Sequence, residues 1–243
     1  MNDYNNGVIG GNADTDVGLK TFMLGTYRWM ALAMLTTAGT AYIVAQAMLA
    51  NPTLIGLVYN PVTAIAMFLI IVFGFGAVGK KLHTMSMGGV LTFLFGFAGF
   101  MGVMMSAYAF MYDPMIVARI FFMTVAMFAG LSLFGYTTGF NLNAIVKYAF
   151  AAFMAFVLIG LVGMFVPALS VFSGGTFGMI INFVALAAIA VITAWETQTL
   201  KRIYYSLGND QAMLAKYSAF GAASLLLAFI NMFTILMNLF GRD

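Results

Sequence analysis

Apolar stretches of about 20 residues recur along this chain with only short polar breaks, and that repetition constrains the fold more than any single residue does. Each is long enough to cross roughly 30 Å of hydrocarbon as an α-helix, which satisfies every backbone N–H and C=O without water. Of the 243 residues, 63% are hydrophobic and 7% are charged. Ordinary globular domains carry about 25% charged residues, so a water-soluble domain is excluded. Seven spans are predicted, at about 29–50, 58–78, 86–111, 116–137, 145–168, 178–197 and 218–240. Pro61 stands near the start of the second, and Gly88, Gly89, Gly96, Gly99 and Gly102 crowd the third. Small residues of this kind let membrane helices approach closely. The expected fold is an all-α membrane protein with seven transmembrane helices over residues 20–243.

Residues 1–19, "MNDYNNGVIGGNADTDVGL", are polar, lack Lys and Arg, and precede no cleavage-like site, so the sequence predicts a disordered cytoplasmic tail and no signal peptide. In a seven-span arrangement Lys20, Arg28, Lys80, Lys81, Lys147, Lys201, Arg202 and Lys216 fall on one side and only Arg119 and Arg242 on the other. Basic residues concentrate in cytoplasmic loops, which predicts a cytoplasmic N-terminus and an external C-terminus. The net charge of +3 follows from this topology and gives no reason to expect a nucleic-acid partner.

Little conventional enzyme chemistry is available. With no cysteine there is no thiolate or disulfide, and the single His83 cannot build a histidine metal cluster. No phosphate-binding glycine loop and no Ser/His/Asp set is present. Neither an enzyme nor a resident cofactor is expected.

Of the seven acids, only Glu196 is attached to a span. It closes the apolar run that starts at Gly178, roughly 27 Å away along a helix, which places it near the cytoplasmic edge of the hydrocarbon. Two readings stand side by side. Glu196 either snorkels or pairs with a nearby lysine as an interfacial anchor, or it faces the bundle interior and exchanges a proton or meets a cation there. Thr193, Thr197 and Gln198 are near enough in sequence to hold it by hydrogen bonds. Ser224, Asn231 and Asn238 recur at intervals of seven in the last span and form a polar stripe on one helix face. That stripe is expected to point into the bundle, as glue between helices or as the lining of a polar pathway.

Four stretches, "GKKLHT" (79–84), "GLSLFGYTT" (130–138), "ITAWETQ" (192–198) and "LLLAFINMFTILMNLFG" (225–241), together resemble the Bax inhibitor-1 family in its bacterial branch, over a length from about Lys20 to the C-terminus. The resemblance implies a multi-pass protein of the bacterial cytoplasmic (inner) membrane whose last helix is central and wrapped by the other six. It implies passive, pH-dependent passage of Ca²⁺. It further implies two aspartates, one on each of the last two helices, that share a proton near the cytoplasmic side beside a basic residue from the second helix. Glu196 stands at the first acidic position, and Lys81, or its neighbour Lys80, at the basic one. The second acidic position departs from the pattern: where the family reads Leu-Asp-Phe-Ile-Asn, this chain reads Leu227-Ala228-Phe229-Ile230-Asn231.

Implied site residues are therefore Glu196, Lys81, Asn231 and Ala228, with transient Ca²⁺ on Glu196 as the metal contact. A cation-leak protein is the leading expectation, with its switch weakened by Ala228, because a lone carboxylate cannot titrate as a coupled pair. The alternative is a non-conducting protein that modulates a membrane protease or other membrane partners. A secondary transporter is disfavoured, since the chain shows no inverted repeat and few ionisable residues inside its spans.

Overall fold

The computed structural model describes the backbone of residues 4–166, 175–208 and 210–241, and side chains from Val17 onward. Most of the tail read over residues 1–19 therefore lies outside the described side chains, as does Arg242. Eight helices occur among the described residues: α1 Tyr4–Ala50, α2 Thr53–Val58, α3 Pro61–Lys81, α4 Met87–Met111, α5 Pro114–Thr137, α6 Asn143–Gly163, α7 Thr176–Leu207 and α8 Gln211–Phe240. All but the short α2 are long and apolar enough to span a bilayer, with α1 counted from Val17, giving the seven expected spans. The end of the fifth predicted span, at residues 167 and 168, falls outside the described residues.

The helix boundaries follow from capping chemistry. Pro61 sits at the first position of α3, where its missing N–H would have had no helical partner. The Asn60 side chain before it accepts a hydrogen bond from the Thr63 N–H at 3.0 Å. Ser86 accepts from Gly89 N–H at 3.1 Å to start α4, and Asp113 accepts from Met115 N–H at 2.7 Å, ahead of Pro114, to start α5. Asp210 caps α8 by accepting from Met213 N–H at 3.0 Å. α7 ends where Gly208 takes φ +57°, a left-handed conformation that costs glycine nothing.

α8 is the core of the molecule. From Gly221 to Met237 every residue is buried except Ser224, Leu227, Asn231 and Thr234, and Leu225, Met232 and Met237 have no exposed surface at all. It packs directly on α1, α4, α5 and α7. The remaining spans stand at one remove, which refines the expectation of six helices wrapped around the last: α6 packs on α7, and α3 buries no residue. α3 is held through the Phe75 ring, 5.2, 5.1 and 5.8 Å from those of Phe93, Phe97 and Phe220. The surface is the inverse of a soluble protein, with Leu35, Ile43, Val62, Phe73 and Phe122 well exposed, as side chains that face lipid should be.

Small residues set the closest crossings. A Cβ on Gly102 would lie 2.6 Å from the Thr37 carbonyl oxygen, so α4 meets the α1 backbone directly. There the buried Thr37 hydroxyl donates to the Ala98 carbonyl at 2.9 Å. Thr26 donates to Ser218 at 3.1 Å and ties α1 to α8. The third-span glycines thus serve packing in part, through Gly102, while Gly96 faces open space.

Candidate functional site

Two contacts fix the antiparallel register of α7 and α8. Asn238 Nδ2 donates to Asn182 Oδ1 at 3.3 Å, and Leu200 packs on Gly221, where a Cβ would come within 2.4 Å of its side chain. Between these points Glu196 stands level with Ser224, and Ala228 lies about one helical turn further along α8. Asn182 and Glu196 are two heptads apart and so share a side of α7.

The four residues between Gly221 and Met237 that escape full burial, with half-buried Asn238, form one stripe: Ser224, Leu227, Asn231, Thr234 and Asn238. Thr234 reaches Met105 on α4, and Asn238 reaches α7, so the stripe looks into the cleft between those two helices. α3 and α6 touch each other across its outer side. The polar face read from the sequence therefore points into the bundle. Of its two asparagines, Asn238 makes an interhelical hydrogen bond, whereas Asn231 makes none to a described residue. Asn238→Leu should cost about 0.6–1.7 kcal/mol of stability in detergent, the range for such bonds in membrane proteins, and Asn231→Leu distinctly less. Equal melting temperatures for the two variants would contradict this assignment.

At the basic end of α7, Glu196 is half-buried as a residue, yet its Oε2 is fully enclosed and has no hydrogen-bond partner. Thr199, three residues on and therefore a neighbour on the same helix surface, has its Oγ1 enclosed and unpartnered as well. Each orphaned buried polar group costs about 1–3 kcal/mol. A proton, a cation or a water molecule is the partner such a pair of oxygens lacks. Glu196 is readable from the sequence as the one acid in a span, whereas Thr199 carries no local signal, since threonines are ordinary in membrane helices.

The hydrogen bonds expected for Glu196 go elsewhere, because its neighbours sit at other angles around the helix. Thr193 donates to the Ile189 carbonyl at 2.7 Å. Thr197 bonds Ser132 at 2.9 Å, and Ser132 bonds Tyr27 at 2.5 Å, so a hydroxyl chain joins α7, α5 and α1. Gln198 donates to the Phe140 carbonyl at 2.8 Å and accepts from Leu142 N–H at 3.2 Å and from Arg202. Trp195 Nε1 donates to Asn143 at 2.7 Å. These bonds fasten α7 to α5 and to the loop before α6, leaving the Glu196 carboxylate and the Thr199 hydroxyl as the polar groups on their side of the helix that are not tied down.

Lys80 and Lys81 lie exposed in the last turn of α3. Among the described residues neither forms an ion pair with Glu196, whose carboxylate interacts with no charged group. Two other lysines at this end of the bundle bond to carbonyls: Lys201 donates to that of Tyr136 at 3.1 Å, and Lys216 to that of His83 at 3.4 Å. Ala228 is 2% exposed, packed into the core cluster among the other α8 residues. No group of three or more His, Asp or Glu converges among the described residues, so any cation at Glu196 would also draw on carbonyls, hydroxyls or water.

A helical bundle that seals a lone, unpaired carboxylate beside its central helix defines a polytopic membrane protein with a polar site held inside its spans. The family model described as Inhibitor of apoptosis-promoting Bax1 matches residues 19–243, and the chain belongs to that family. The chain is 32% identical to the inner membrane protein YbhL of Escherichia coli K12, with 93% of each chain aligned. It is 31% identical to a protein of Caulobacter vibrioides, over 100% of this chain and 99% of that one. A Rickettsia prowazekii protein shares 29% identity over 95% of this chain and 93% of its own. The family expected from the four sequence motifs is thus the family found.

Proposed function

We propose that this protein is a passive, non-enzymatic pathway for Ca²⁺ or another cation across the bacterial inner membrane, sensitive to pH through Glu196. The observation that carries the reading is the orphaned carboxylate oxygen on the side of α7 that also carries Asn182, level with Ser224 in the polar stripe of α8. A carboxylate that nothing else satisfies is free to take up a proton or a passing cation, and Asn231, Thr234 and Asn238 continue a polar surface from it along the cleft. The ion would be transient, with no resident cofactor. Ca²⁺ flux into proteoliposomes is the test: wild-type protein should conduct weakly with a shallow pH dependence, and Glu196→Gln should remove that dependence.

A second reading is favoured by Ala228, a buried apolar residue about a turn from Glu196. A scaffold without the second carboxylate suits a non-conducting protein that modulates a membrane protease or another membrane partner. Zero flux from correctly folded wild-type protein would select this reading.

The orientation belongs to the same proposal. Eight basic residues gather at the end of the bundle that holds Glu196, which supports a cytoplasmic assignment of that end and of the N-terminus. A reporter fused before Lys20 should read as cytoplasmic and one after Asp243 as external. The reverse pair of signals would move Glu196 to the outer face and remove the comparison with a cytoplasmic gate.

A further inference from the structure

α1 and α5 lie side by side on α8 without packing along each other; the Tyr27–Ser132 hydrogen bond bridges them. Two adjoining cavities, of about 540 and 610 Å³, occupy the slot between the helices; both are lined by Met34 of α1 and by Phe229 of α8, which forms the floor, and the first is also walled by Met105 and Tyr108 of α4. The slot lies across α8 from the polar stripe, because Phe229 and Asn231 are two residues apart on a helix. Its walls are aromatic and aliphatic, with Phe121 and Phe128 on one side and exposed Ala31 and Ala129 giving it depth.

Hydroxyls line both ends, Thr37, Tyr42, Tyr108 and Tyr112 at one and Tyr27, Ser132 and Tyr136 at the other, but the positive charge is at one end: Lys20 lines the slot where the basic residues of the bundle lie. Lys20 is exposed there and makes no ion pair with a described residue. Lys201 stands behind Tyr136, donating to its carbonyl and lying 5.1 Å from its ring centroid. No carboxylate lines either cavity. An apolar slot as deep as the membrane with a cationic, hydroxyl-bearing mouth complements a molecule with a long hydrocarbon chain and an anionic head. A transmembrane helix is a poorer fit: at about 10–12 Å across it would have to part the Tyr27–Ser132 bridge. An acyl chain can lie beside that bridge.

We propose that the α1–α5 slot is a binding seat for an anionic phospholipid, with an acyl chain along Met34 and Phe229 and the phosphate at Lys20 and Tyr27. Basic recesses between helices at the cytoplasmic face bind acidic headgroups in this way. The lipid supplies the packing that α1 and α5 do not give each other. This proposal is independent of any conduction through the α4–α7 cleft.

The test uses native mass spectrometry of the purified full-length protein, counting phospholipid retained after exchange into detergent doped with equal phosphatidylglycerol and phosphatidylcholine. Wild type should retain phosphatidylglycerol preferentially. Lys20→Gln should reduce that preference by about fivefold, the weight of one lysine near an anionic head. Ala31→Phe with Ala129→Phe fills the slot and should abolish retention, whereas Ala126→Phe, exposed on α5 but outside the slot, should not. Equal retention in the slot-filled and Ala126→Phe proteins overturns the proposal. So does a slot-filled protein that changes from oligomer to monomer with its lipid count unaltered, since the occupant would then be a second copy of the chain. Should the filled variant not fold, wild type and Lys20→Gln still decide: identical headgroup selectivity in the two overturns an anionic seat at Lys20.

Discussion

Gly135→Ala is expected to destabilise the bundle by at least about 3 kcal/mol, the upper end of the usual cost of overpacking. At this position an added Cβ would lie 2.1 Å from the carbonyl oxygen of Ala194 and 2.9 Å from its carbonyl carbon and Cα. These are backbone atoms of α7, so no side-chain rotation relieves the clash. α5 and α7 must separate, and the bonds that depend on their approach, Ser132 with Thr197 and Lys201 with the Tyr136 carbonyl, would be strained or lost together. Gly130→Ala is the matched control, because there a Cβ meets nothing within 4 Å. It should be neutral or slightly stabilising through helix propensity. Thermal unfolding in detergent separates the two, and equal midpoints would mean that α5 and α7 do not cross at Gly135. A larger effect than that of Asn238→Leu is expected, since a forced helix separation removes several interactions where Asn238→Leu removes one.

The same crossing shows what the sequence discloses and what it withholds. Seven spans were legible because the bilayer imposes a length on every apolar run, and Pro61 proved to be a helix start of the usual kind. The first and sixth spans were read short, beginning at residue 29 and ending at 197. An apolar window stops at a charge, but a helix stops at a cap: α1 carries Lys20 and Arg28 within it, and α7 continues past Glu196 until Gly208 turns the chain. Glu196, Ala228 and the Asn231–Asn238 stripe were legible as chemistry, Glu196 as the one acid in a span, Ala228 through family resemblance and the stripe through its seven-residue spacing. Thr199 and the Tyr27–Ser132–Thr197 chain were not, because hydroxyls distant in sequence show no local sign of meeting. Lys81 illustrates the converse: its place in a motif was readable, but its exposed position at the end of a helix that buries nothing depends on how α3 leans on Phe220.

Ala228→Asp is expected to produce the largest change in function. In the wild-type protein one carboxylate can bind at most one proton, so flux should change no more than tenfold per pH unit at any point between about pH 5 and 8. An aspartate at position 228 would project from a buried site about one turn from the level of Glu196, close enough for the two acids to titrate as a pair. A mutually repelling pair releases its protons in two separate steps, so the response should be spread over a wider pH range and be shallower at each point than a single titration. Ala228→Asn has similar size without the charge and should keep the wild-type profile, which separates titration from a packing disturbance in the core. Glu196→Gln should flatten the profile, and combining it with Ala228→Asp should return the steepness to that of a single carboxylate. Ca²⁺ entry into proteoliposomes, measured for all five proteins across this pH range, reads these slopes directly. If the five profiles coincide, Glu196 is an interfacial anchor, its orphaned oxygen has no part in gating, and the interaction-protein reading takes the place of the pathway.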